Sequence, residues 1–136
     1  MRRLLCFLSL CFLLLVGCSS TSAGALNARD VHTRWVAAVR ANDRATVLAL
    51  VKHDLPQREQ FVDQALGAIA DLQTAPHSPT GALRDVEIRD PIPQGAVQEA
   101  MSVWYFERKT WCYRTALMST DDGWRVIGWG QVAQCP

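Results

Sequence analysis

The chain has 136 residues, with 14 Lys plus Arg against 13 Asp plus Glu and a formal net charge of +1. That length allows one domain and little beyond it. A balance so close to zero offers no electrostatic footprint for nucleic acid and no polybasic patch for anionic lipid.

In chain order, the first element is a leader rather than part of a fold. Met1-Arg2-Arg3 is a short positive region, and Leu4 to Val16 is a 13-residue apolar run broken only by Ser9. A membrane-spanning helix needs about 20 apolar residues. The shorter run suits a signal-peptide core, and small residues follow it where a cleavage site belongs. An uncleaved anchor is the alternative. The run ends in Leu15-Val16-Gly17-Cys18, which resembles the lipobox of bacterial lipoprotein precursors. The resemblance implies a thioether-linked diacylglycerol on Cys18, cleavage just before it, and further acylation, typically palmitate, of the new amino terminus. A thiolate is a suitable nucleophile for taking up the lipid, and each buried methylene contributes about 0.8 kcal/mol to anchoring. Residues 1–17 are then a signal, 18–26 a lipidated cysteine with its tether, and 27–136 the domain. The partner implied is the membrane, reached through the anchor. Ser19 rather than Asp after the cysteine implies, in a Gram-negative cell, the outer membrane with the domain facing the periplasm. Loss of Arg2 and Arg3 leaves 12 basic against 13 acidic groups, so the mature domain is near −1.

The domain opens with a helix over 27–41, where Asn27 caps, Asp30 sits in the first turn, and Val31, Trp35, Ala38 and Val39 form one apolar face. Asp43 caps a second helix, 44–52, that buries Val47, Leu48 and Val51. Pro56 suits the first turn of a third helix, 56–73, with Val62, Ala65, Leu66, Ile69 and Leu72 as its buried stripe. Thr74 to Gly81, with two prolines, is a loop.

The periodicity then falls from 3.6 to 2. Val86 and Ile88 alternate with Glu87 and Arg89 in a strand that stops at Pro91, and Pro91 to Gly95 reads as a turn. Ala96 to Arg108 is a long second strand, with a turn at Glu107–Thr110. Trp111 to Ser119 is a third strand, Thr120-Asp121-Asp122-Gly123 a hairpin turn, and Trp124 to Val132 a fourth. Helices first and strands after give an α+β class, with three N-terminal helices on a curved four-stranded antiparallel meander, cone-like.

The alternation assigns Met101, Val103, Tyr105, Trp111, Tyr113, Thr115, Leu117, Trp124 and Val126 to the face beneath the helices. It assigns Ser102, Trp104, Phe106, Cys112, Arg114, Ala116, Arg125, Ile127 and Trp129 to the other. A face mixing large aromatics with two arginines suits a protein partner or a homodimer through Trp104, Phe106, Arg114, Arg125 and Trp129. Equally, the sheet could curl over its own aromatics with the arginines extended at the rim.

The helices, the meander and the closing Asp122-Gly123-Trp124-Arg125-Val126-Ile127 resemble the nuclear transport factor 2-like superfamily. More narrowly they resemble its lumazine-binding-like lipoprotein domains of unknown function. The chain departs from many members in having no strand hairpin between the second and third helices, so no catalytic residue carries over.

The chemistry-bearing residues are few. His32, His53 and His77 form no ligand pair and read as surface residues; no metal or other cofactor is implied. Five tryptophans in so small a domain read first as core. Glu107, or Tyr105, inside a cone would be the basis of a small cone-fold enzyme. Without such a placement the domain reads as a non-catalytic binding or assembly module at the envelope, or as a structural component of an envelope complex. Cys112 and Cys135 remain after lipidation in a compartment that permits disulfides. Pairing Ser119 with Trp124 sets Cys112 across from Gln131, with Cys135 about 13 Å further along an ideal strand. The expected Cys112–Cys135 bridge therefore requires the tail to bend back after Val132; two free thiols are the alternative.

Overall fold

Asn27 begins the fold by accepting the Asp30 N–H at 2.9 Å through its side chain, which satisfies one of the open amides at a helix start. In the computed structural model the described residues are 26–74 and 79–136. Cys18, the leader and His77 lie outside them. Helix α1 is Ala28–Arg40 and buries Val31, Trp35, Ala38 and Val39 as the spacing requires. Helix α2 is Arg44–Leu50, capped by Asp43 through the Thr46 N–H. Helix α3 is Arg58–Thr74. It starts two residues later than Pro56 suggests, because Gln57 adopts φ 53° and cannot be helical. Its stripe of Val62, Ala65, Leu66 and Ile69 is buried.

Five strands follow: β1 Leu83–Ile88, β2 Ile92–Gln94, β3 Val97–Phe106, β4 Thr110–Thr120 and β5 Gly123–Val132. The order is β1-β3-β4-β5, all antiparallel, so the expected meander is present. Strand β2 is an addition. The segment expected to be only a turn pairs Ile92, Pro93 and Gln94 with Glu99, Gln98 and Val97. It continues along the edge of β3 that β1 occupies, where Pro93 can sit without a ladder donor. Between α2 and α3 there is no hairpin, only a parallel bridge from Val51 to Val126.

The faces of β3 are the reverse of those expected. A two-residue turn at Glu107-Arg108, closed by Phe106 N–H to Lys109 O at 2.9 Å, pairs Trp104 with Trp111 and Ser102 with Tyr113. An even-numbered loop sets even residues of β3 opposite odd residues of β4; the expected four-residue turn at Glu107–Thr110 is even as well, so placing the odd residues of both strands on one face is inconsistent with either turn. Ala100, Ser102, Trp104 and Phe106 therefore point at the helices; Met101, Val103 and Tyr105 point away. On β4 the expected face is correct. On β5 it is correct to Val126, after which a bulge intervenes. Leu117 pairs with Val126 but Ala116 with Gly128, so Ile127 is the extra residue and Trp129 turns inward. Trp104, fully buried, Phe106, 6% exposed, and Trp129 all pack in or against the helix-side core. The expectation that they form an outer partner surface is overturned for these three. Arg114 and Arg125 do lie on the outer face, exposed and half-buried respectively.

The same bulge resolves the difficulty with the cysteines. It sets Cys112 opposite Val132 rather than Gln131, and the tail bends back to form the Cys112–Cys135 disulfide with Cα atoms 5.4 Å apart. The tail then reaches the end of β1, where Arg89 Nη1 donates to the main-chain oxygen of Pro136 at 3.1 Å. Val103 and Cys112 are 2% and 1% exposed, yet neither belongs to the core under the helices. They are buried on the opposite face, where the tail crosses as a strap.

Candidate functional site

The interior of the cone is filled rather than hollow. Trp35 from α1 stacks on Phe61 from α3, with centroids 5.9 Å apart, and meets Trp129 edge-on at 6.3 Å. Trp129 in turn stacks on Tyr113 at 4.3 Å and 5°, and Trp104 approaches Tyr113 edge-on at 6.1 Å. Such offset and edge contacts add to the area that these rings bury. Trp104 Nε1 donates to Ser102 Oγ at 2.9 Å. The indole N–H groups of Trp35 and Trp129 find no acceptor among the described residues.

At the end of this aromatic row, α3 and β5 stand apart and leave a cleft of about 220 Å³ lined by Phe61, Gln64, Ala65, Ala68, Tyr113, Trp129, Gly130 and Gln131. Through Phe61 and Gln64 it adjoins a second hollow bounded by Leu55, Pro56, Gln57, Gln60 and Ile127. The lining is aromatic and amide-bearing. Among its described lining residues the one titratable group is the Tyr113 phenol, whose pKa burial pushes up, so it stays neutral through the physiological range. The arrangement can offer stacking surface and amide hydrogen bonds to an uncharged ligand.

The candidates for proton chemistry lie elsewhere. Glu107 is exposed in the β3–β4 turn, paired with Arg84 and accepting the Ala82 N–H at 3.3 Å. Tyr105 points away from the helices and donates to Glu87 Oε2 at 2.7 Å. That bond, with Arg89 beside it, holds the Glu87 carboxyl below its ordinary pKa. His53 is exposed. His32, expected on the surface, is fully buried, because it falls beside Val31 on the inward face of α1. Its Nε2–H donates to Met101 O at 3.3 Å, and burial lowers its pKa. Among the described residues no three His, Cys, Asp or Glu side chains gather as a metal site. Sequence reasoning missed the cleft residues Gln64 and Gln131. The available signal was Gln57, Gln60 and Gln64, which recur at helical spacing as an uncharged stripe.

No protein-family model matches the chain, and no curated protein matches it. Solved structures do resemble it. One, from Thiobacillus denitrificans and described as a calcium/calmodulin-dependent protein kinase type II association domain, is 14% identical with a TM-score of 0.59. The match covers 79% of this chain and 94% of that one. Another, from Campylobacter jejuni and described as an NTF2-like transpeptidase, is 17% identical with a TM-score of 0.52, covering 74% and 97%. At such identities the likeness is one of fold, and the fold of this chain, three helices on a curved antiparallel sheet, is that of the nuclear transport factor 2-like proteins.

Proposed function

We propose that the protein is an envelope lipoprotein, anchored through lipid on Cys18, whose domain is a non-catalytic binding module with its site in the cleft between α3 and β5. The observation that carries the binding reading is the distribution of side chains. Aromatic rings fill the cone where an enzyme of this fold would hold its acid, and both Glu107 and Tyr105 sit outside it. What remains open to a ligand at the end of the aromatic row is uncharged and amide-lined. Anchoring rests on the sequence Leu15-Val16-Gly17-Cys18, and Ser19 rather than Asp after the cysteine supports the outer membrane, with the module facing the periplasm, in a Gram-negative cell.

Two measurements test the two halves. Labelled palmitate should enter the wild-type protein in a bacterial host and be lost from Cys18→Ser; label retained in the variant ends the lipoprotein reading. A set of uncharged amide and sugar fragments, screened by amide chemical shifts, should move Gln64, Ala68, Trp129 and Gln131 together. Shifts gathered instead around Arg114 on the outer face would end the cleft reading.

A further inference from the structure

The cleft has a wall that is not made of side chains. Among the described residues strand β5 is the last in the sheet, so one of its edges has no described strand beside it. Part of that edge is already used: the Lys52 N–H donates to Val126 O at 3.0 Å, next to the Val51–Val126 bridge. The Val126 carbonyl therefore faces away from β4. Main-chain groups alternate between the two sides of an antiparallel strand. Counted past the extra residue at Ile127, the alternation turns the N–H and C=O of Trp129 and Gln131 to the same free side. No described residue bonds to them there. Alongside runs α3 with Phe61, Gln57, Gln60 and Gln64 lining the two adjoining hollows.

We propose that this edge takes an extended, uncharged peptide, which adds to β5 beside Trp129 and Gln131 and lies in the groove against α3. The proposal rests on the cleft being the binding site and names the class of its ligand. Three observations point to a peptide rather than to a compact molecule. The unpaired groups are main-chain donors and acceptors at strand spacing, which another strand satisfies in register. The edge already accepts extended backbone at Val126, and the open stretch continues directly from that bridge. The groove is also elongated, because its two hollows share Phe61 and Gln64. Its described lining residues offer no charge to pair with, so a charged side chain entering it would lose water without compensation. Amides at Gln57, Gln60, Gln64 and Gln131 suit polar uncharged side chains.

The test uses a display library of peptides of about seven residues, an ordinary strand length, built from uncharged amino acids, against the mature domain. The discriminating variant is Gln131→Pro. Proline is tolerated on an edge strand where its N–H would face outward, so the ladder to β4 survives while the free donor is removed and the edge obstructed. Gln131→Ala is the control that removes only the side chain. The expected result is peptides whose affinity falls roughly tenfold further in Gln131→Pro than in Gln131→Ala, the scale of one or two lost hydrogen bonds. Selected peptides N-methylated at alternate residues should lose binding in one phase of methylation and keep it in the other. Two results overturn the proposal: no peptide binds, or binding ignores both Gln131→Pro and N-methylation. Fragment shifts at the cleft together with either result would leave the cleft as the site of a compact ligand and remove the peptide alone. If Gln131→Pro unfolds the domain, N-methylation carries the decision.

Discussion

The two faces of one sheet are buried by different means. On the inner face, Trp104, Tyr113, Leu117 and Val126 pack against three helices, and the aromatic row runs through the middle. On the outer face, Val103 and Cys112 are buried just as completely, beneath a short strap held by one disulfide and one arginine. The inner face is stabilised by contacts among many side chains, as most cores are. The strap has too few residues to bury much surface. Its cover depends on the disulfide, which limits the freedom of the tail in the unfolded chain. Burial alone thus does not tell what holds a residue in place.

Substitutions can separate the two. The largest effect is expected from Trp104→Ala, which leaves a cavity in the inner face and should cost about 3–5 kcal/mol by denaturant unfolding. A loss below about 1 kcal/mol would mean that the inner face is not the principal core. Next is the double variant Cys112→Ser with Cys135→Ser. The bridge spans a sequence separation of 23, and opening it should cost about 3 kcal/mol in the chain-entropy estimate. The comparison predicts more than the loss. Far-ultraviolet dichroism should stay unchanged, and protease should cut the tail after Val132 while the helices remain protected. Helices that loosen together with the tail would show the two faces to be one cooperative unit.

A smaller effect separates them by pH. His32 lies on the inner side, and burial lowers its pKa from 6.5. The unfolded chain therefore binds a proton that the folded chain resists. Stability from this group is fully present above pH 6.5 and declines as pH falls towards the lowered folded value. His32→Gln should unfold with a flatter dependence in that window; equal slopes would show that the burial of His32 is not what makes stability pH-dependent. Smallest of all is Arg89→Ala on the outer face. It should leave the unfolding midpoint nearly unchanged and raise amide exchange in residues 133–136. Unchanged exchange would show the disulfide to hold the strap unaided.

The comparison also explains which parts of the molecule were legible in the sequence. Asn27 and Asp43 cap their helices, and Thr120-Asp121-Asp122-Gly123 turns its hairpin, because each acts within three or four residues of itself. The disulfide was legible from the cysteine count and the compartment that the lipobox resemblance implies, although the ideal strand geometry argued against it. The cleft was nearly illegible, since its stacking partners come from α1, α3, β4 and β5, and its free edge depends on which strand lies last in the sheet.

By itself, then, the sequence determined the class: helical periodicity up to the loop, strand periodicity after it, and local signals at the ends of the elements. It also carried the Leu15-Val16-Gly17-Cys18 motif, which needs no fold to be read. Tertiary structure decided which way the aromatics face. A two-residue turn at Glu107-Arg108 and one extra residue at Ile127 placed Trp104, Phe106 and Trp129 beneath the helices. Side chains on a strand alternate with a period of two, so either face of β3 satisfies the local pattern equally well. Only the pairing with β4, and the helices waiting on one side, distinguishes them.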